Sequence, residues 1–161
     1  MKIKMRGLYL VTILLLLAVA GATLSGCGQN VDWDLTITSG GSTALVLSYK
    51  DLTDMKQVEL NDILMERSEG EDTIESWSGV PLTAVLEQAG VNTDPDLIVA
   101  LAADGYAVEI SRDELVDGIV ALKHNGEWIT KDDPDSGPIR FVFPNTPANR
   151  WVFQLQEIQI P

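Results

Sequence analysis

Gly137-Pro138-Ile139-Arg140-Phe141-Val142-Phe143-Pro144 is the stretch on which the reading of the fold turns. Ile139, Phe141 and Phe143 project to one side of an extended chain and Arg140 and Val142 to the other, until Pro144 removes a ladder donor and breaks the strand. Apolar side chains around Arg140 mark an interior strand. A guanidinium there needs a carboxylate, a cluster of carbonyls or a bound anion beside it, because an uncompensated buried charge is costly. Asp104 and Asp135 are the candidate internal partners, and a small anionic or polar ligand is the alternative. Arg140 is thus the first candidate binding residue.

Working outward, Trp151, Phe153 and Leu155 share a face, after which the apolar positions move to Ile158 and Ile160. That change of phase predicts a β-bulge near Gln156-Glu157. Upstream, Ile119 to His124 and Glu127 to Thr130 flank Asn125-Gly126, the dipeptide that best tolerates the positive φ angles of a type I′ hairpin. Ser111 and Glu114 have the spacing of a capping box, with Gly118 as the stop. Asp96 to Ala102 and Tyr106 to Ile110 read as strands joined at Asp104-Gly105. Pro81 fits the first position of a helix, since its missing N–H has no helical partner there; Leu82, Val85, Leu86 and Ala89 follow at helical spacing, and Gly90 closes it. Trp77-Ser78-Gly79-Val80-Pro81 reads as a tight turn into that helix. Nearer the N-terminus, Trp33 to Ile37 and Ala44 to Leu47 form a hairpin across Ser39-Gly40-Gly41-Ser42. Asp51 to Met55 is a helical turn, Val58 to Met65 is β, and Glu66 to Asp72 is a loop. The sum is an α+β domain of mixed or antiparallel sheet with two or three short helices, and no internal repeat.

The first residues carry a different message. Lys2, Lys4 and Arg6 precede an apolar run from Leu10 to Ala20, too short to span a bilayer comfortably, and Leu24-Ser25-Gly26-Cys27 follows. This resembles a bacterial lipoprotein signal, which implies that Cys27 is lipidated and that residues 1–26 are removed. The expected organisation is a signal peptide over 1–26, a tether over 27–31 and a single domain over 32–161, held extracytoplasmically at the bacterial cell membrane through the lipid. Cys27 is the sole cysteine, so no intramolecular disulfide can form. The whole chain carries 11 basic and 24 acidic residues; the segment 1–26 holds three basic and none acidic, which leaves 8 against 24 and a formal charge of −16. Such a field repels phosphate backbones and anionic lipid heads, which disfavours nucleic acid and leaves the lipid as the route to the membrane. Asp132, Asp133 and Asp135 lack the spacing of an EF-hand calcium loop.

Five pieces stand in register from about Thr36 to Ile160. They are Trp77-Ser78-Gly79-Val80-Pro81-Leu82, Leu86 with Ala89-Gly90, Asp104-Gly105-Tyr106, the Gly137 to Pro144 strand, and Trp151-Val152 with Ile158. Together they resemble the sulfite-oxidase-type molybdopterin-binding domain. The resemblance implies a compact fold of twisted mixed sheets and a molybdenum pterin cofactor, with one cysteine thiolate as a protein ligand to the metal. It also implies that Arg140 holds the cofactor's phosphate, with an asparagine where Asp135 stands and a lysine where Phe153 stands. This chain departs from the pattern. The loop from Ser68 to Trp77 contains no cysteine, Asp135 brings a negative charge toward a phosphate, and Arg150 compensates in part. The leader, with Arg6 alone, lacks the twin arginines under which such enzymes leave the cytoplasm with cofactor installed.

The remaining candidates are weaker. His124 is the sole histidine, has no cysteine or second histidine beside it in the pattern, and reads as a surface residue at a hairpin edge. Ser78 is explained by its turn, and the many carboxylates, such as Asp104 with Glu109 or Asp113 with Glu114, read as solvated surface. Trp77, Tyr106, Trp128 and Trp151 are core or pocket aromatics. The candidate ligand-binding set is therefore Arg140, Arg150, Trp77, Tyr106 and Asp135, with no catalytic or metal-ligating residue. The expected protein is a cofactor-free binding module for a small ligand or an envelope protein. A molybdopterin-dependent oxidoreductase with an atypical metal ligand is the alternative, and a structural accessory of a redox or transport complex is a third reading.

Overall fold

Strict alternation builds the first strand. In β1 (Asp34–Ser39), Leu35 and Ile37 are buried while Asp34 is exposed, so one face turns to the core. In this computed structural model, which describes residues 31–67, 69–133 and 137–161, β1 turns through Gly40 and Gly41, both at positive φ, into the antiparallel β2 (Ser42–Ser48). The predicted signal segment, the predicted lipidation residue Cys27 and Asp135 lie outside the described residues. The last strand, β11 (Leu155–Ile160), lies parallel to β1 and antiparallel to β5 (Leu97–Ala102), which pairs in turn with β6 (Ala107–Ser111). The first sheet therefore has the order β2-β1-β11-β5-β6. Its register shifts between Leu155 and Glu157, where the bulge was predicted.

The second sheet holds β3 (Val58–Met65), β4 (Thr73–Pro81), β7 (Ile119–His124), β9 (Arg140–Val142) and β10 (Val152–Phe153) in the order β10-β9-β7-β4-β3, with the short β8 (Glu127–Trp128) on β7. Asn125 and Gly126 take φ of 49° and 83° at the β7–β8 hairpin, as the dipeptide predicts. All three residues of β9 are buried, and so are Ile139 and Phe143 beside it. The buried residues of both sheets form one apolar cluster, including Leu35, Ile37, Ile98 and Ile158 from the first and Trp77, Val80, Val120 and Phe141 from the second.

Among the described residues three α-helices punctuate the strands: α1 (Tyr49–Asp54), α2 (Leu82–Gln88) and α3 (Arg112–Leu115). Ser111 and Glu114 form the predicted capping box on α3, and Gly90 follows α2 at φ 67°. Ser48 and Asp51 make a further capping box on α1.

The structure corrects the sequence reading in three places. Residues 73–81 are a strand, neither loop nor tight turn. Gly79 is needed there because a Cβ would stand 2.1 Å from the Val120 carbonyl oxygen of the adjacent β7, a close approach that a single sequence does not display. Pro81 belongs to the end of β4 and caps α2, which begins one residue later with the Leu82 N–H bonded to the Gly118 carbonyl. The run from Trp151 to Ile160 is two strands in different sheets, broken at Gln154, whose φ is 49°.

Candidate functional site

The pairing of β4, β7, β9 and β10 assembles the site. Trp77 stands opposite His124, Gly79 opposite Ala121, Ala121 opposite Arg140, and Arg140 opposite Phe153. Directly paired residues share a face of the sheet, so these positions project together. The Arg140 guanidinium lies 5.3 Å from the centre of the Trp77 ring and 5.4 Å from that of Trp151, and the two indoles meet edge to face at 5.7 Å. A delocalised cation between indole faces is favourably placed, and desolvation strengthens the attraction. Arg140 is only 6% exposed and has other interactions besides these rings. On the far side of the cluster His124 stacks on Trp77 at 4.1 Å and 11°.

His124 in turn meets Glu75 at 3.0 Å between Nε2 and Oε2, and Asn125 donates its side-chain amide to the same carboxylate. Arg67 approaches the other Glu75 oxygen at 4.0 Å. Burial pushes the Glu75 carboxyl up, but the Thr73, Asn125 and His124 side chains beside it outweigh burial and hold the group below its ordinary value. His124 is therefore not the free surface residue predicted from its hairpin position. Its partners lie 47 and 49 residues away on β4, and only the strand register reveals them.

Of the predicted site residues, Trp77 and Arg140 come together, and Tyr106 and Arg150 do not. Tyr106 is 46% exposed at the β5–β6 turn of the other sheet, where its N–H bonds to Asp104. Arg150 is committed elsewhere: its Nε meets Glu114 at 2.8 Å and another guanidinium nitrogen donates to the Glu109 carbonyl. That pairing, with the Ser111 cap, holds the Glu114 carboxyl down to about 2. Asp135 lies outside the described residues. The predicted compensation by Arg150 is thus used to tie the chain after β9 to α3 and β6.

Two observations bear on what the cluster can hold. The indole Nε1 of Trp77 is fully buried and meets no hydrogen-bond acceptor among the described residues, an arrangement that costs about 1–3 kcal/mol unless something accepts from it. An N–H donor beside a guanidinium is suited to a small oxyanion. The donors for a transition metal are another matter. Among the described residues no group of three or more His, Cys, Asp or Glu is arranged to hold a metal ion, and the sequence has no cysteine other than Cys27. Phe153 puts a ring opposite Arg140 where a second cation would assist a phosphate. The described residues supply no thiolate, so they do not fit a thiolate-ligated molybdenum.

A pair of sheets sharing one core, with a parallel β1–β11 pairing and an arginine strand inside the second sheet, defines an α+β domain of the sulfite-oxidase-like type. The fold is similar to that of the sulfane dehydrogenase SoxCD from Paracoccus pantotrophus, with a TM-score of 0.67 and 22% identity over 80% of this chain and 38% of that one. The chain belongs to the oxidoreductase molybdopterin binding domain family, which matches residues 25–161. It is also 28% identical over 118 residues to the uncharacterized oxidoreductase YuiH of Bacillus subtilis (strain 168), covering 70% of this chain and 57% of that protein. The chain thus spans little more than half of that relative.

Proposed function

We propose that this protein is a lipid-anchored, extracytoplasmic binding module built on a molybdopterin-binding-type scaffold, that it works without the cofactor, and that its ligand is a small oxyanion. The observation that carries the reading is the Trp77–Arg140–Trp151 cluster, in which a buried, unaccepted indole N–H lies beside a guanidinium. The absence of any cysteine beyond Cys27 supports the cofactor-free part, because a soft thiolate is not readily replaced as a molybdenum ligand. The apolar run ending at Leu24-Ser25-Gly26-Cys27 supports the anchor, and none of the described helices is long and apolar enough to cross a membrane. The strongly negative net charge of −13 requires that an anion be recognised at short range, by donors buried away from the general field as Trp77 and Arg140 are.

The test has two arms. Full-length protein isolated from membranes is assayed for molybdenum and for pterin fluorescence, with background levels of both expected; stoichiometric amounts would replace this reading by a molybdopterin-dependent oxidoreductase with an atypical ligand. The same protein is melted in sulfate, sulfite, phosphate and acetate at constant ionic strength. At least one anion is expected to raise Tm, and Trp77→Phe, which removes the N–H, and Arg140→Lys, which keeps the charge, are both expected to abolish that rise. An anion-induced rise that survives both substitutions would overturn the proposed site.

A further inference from the structure

The edge of the second sheet leads beyond anion binding. Among the described residues β3 pairs only with β4, so one side of its backbone presents unpaired N–H and C=O groups. Beside it opens a groove of about 450 Å³ lined by Val58, Leu60 and Ile63 of β3, Leu82 of α2, Leu115 of α3 and Pro144. One extra residue between Leu60 and Ile63, where Asp62 takes φ 57°, bulges the strand so that Leu60 and Ile63 both reach the groove. On the strand's other side Leu64 and Ile74, which pair across β3 and β4, are 47% and 61% exposed. An open strand edge flanked by apolar side chains is the geometry that accepts an added strand.

The charge around this edge selects the occupant. The strand carries Glu59 and Asp62, both exposed, and no cation, while exposed Asp117 borders the groove; Lys56 and Arg67 stand outside the strand's ends. A second copy would bring another β3 and another −13 against the same carboxylates, a like-charge approach that opposes self-pairing. We propose that the β3 edge and its groove dock an extended segment of a partner protein in which apolar residues alternate with Lys or Arg. The apolar side chains enter the groove, the basic ones meet Glu59 and Asp62 of the strand, and the backbone extends the sheet. The site is separate from the Trp77–Arg140 cluster and stands or falls independently of it.

The test uses the full-length chain in detergent and three synthetic peptides, acetyl-(Val-Lys)4-amide, acetyl-(Gly-Lys)4-amide and acetyl-(Val-Glu)4-amide. The Val-Lys peptide is expected to bind at least tenfold more tightly than either of the others and to slow amide exchange across residues 58–65. The exposed double variant Glu59→Lys/Asp62→Lys is expected to weaken it at least fivefold, and Asp34→Lys in the other sheet to leave it unchanged. Equal binding of the Val-Lys and Gly-Lys peptides, or protection elsewhere than 58–65, would reduce the effect to general charge attraction and overturn the proposal. So would absence of binding, or peptide-free dimerisation that itself protects 58–65, which would make a second copy the occupant.

Discussion

At the scale of single residues, Gly79 and His124 show how a side chain's meaning depends on a neighbour far away in the chain. Gly79 is in the middle of a strand, where glycine ordinarily weakens packing, yet any Cβ there would meet the backbone of β7 at 2.1 Å. Because the obstacle is main chain and not a rotatable side chain, the sheet must separate to admit a methyl group. Gly79→Ala is expected to cost about 3 kcal/mol, at the upper end of overpacking penalties, read as a lowered midpoint in urea unfolding. A loss of under half that would mean that the β4–β7 spacing is looser than described. Arg140 was legible as a demanding residue from its apolar neighbours alone. That its cation rests between Trp77 and Trp151 was not, because three separate strands must align before those rings meet it.

At the scale of elements, local signals held where the interaction is local. The Ser111–Glu114 cap and the Asn125-Gly126 turn involve partners within three residues, and both formed as predicted. Long-range pairing gives the same cap a second task. Arg150, from the 3-10 turn at Ala148–Arg150, donates to Glu114 and to the Glu109 carbonyl, joining that turn to α3 and β6. Arg150 and the Ser111 cap depress the Glu114 carboxyl to about 2 from an ordinary 4.5. A carboxyl lowered on folding stabilises the native state fully above about pH 4.5, and that contribution disappears as pH falls through about 2. Since the pair is partly exposed, roughly 1 kcal/mol is involved. Glu114→Gln is expected to be less stable than the parent at pH 7, with the difference closing between pH 4.5 and 2 in parallel denaturant titrations; a pH-independent difference would assign the effect to packing.

At the scale of the whole molecule, closure depends on the last strand. β11 is inserted between β1 and β5, parallel to one and antiparallel to the other, and buries Leu155, Ile158 and Ile160. Without it the first sheet separates into two hairpins, each too small to be stable alone. A chain ending at Gln154 is expected to lose cooperative thermal unfolding by circular dichroism, whereas removal of exposed Pro161 alone is expected to leave Tm unchanged; a cooperative melt in the shorter chain would show that β1 and β5 hold together by other means. The sequence by itself determined the alternation of strands, the Ser111–Glu114 cap, the Gly40-Gly41 and Asn125-Gly126 turns, the acidic charge and an arginine in an apolar strand, because each is set by side-chain chemistry or by contacts a few residues apart. Only the tertiary structure decided that residues 73–81 are a strand, that 151–160 serves two sheets, and that Trp77 and Trp151 adjoin Arg140, with His124 and Glu75 beyond Trp77, while Tyr106 and Arg150 lie elsewhere. The reason is register: one strand's position against another is fixed by burial summed over the whole sheet, and no local window of residues contains that sum.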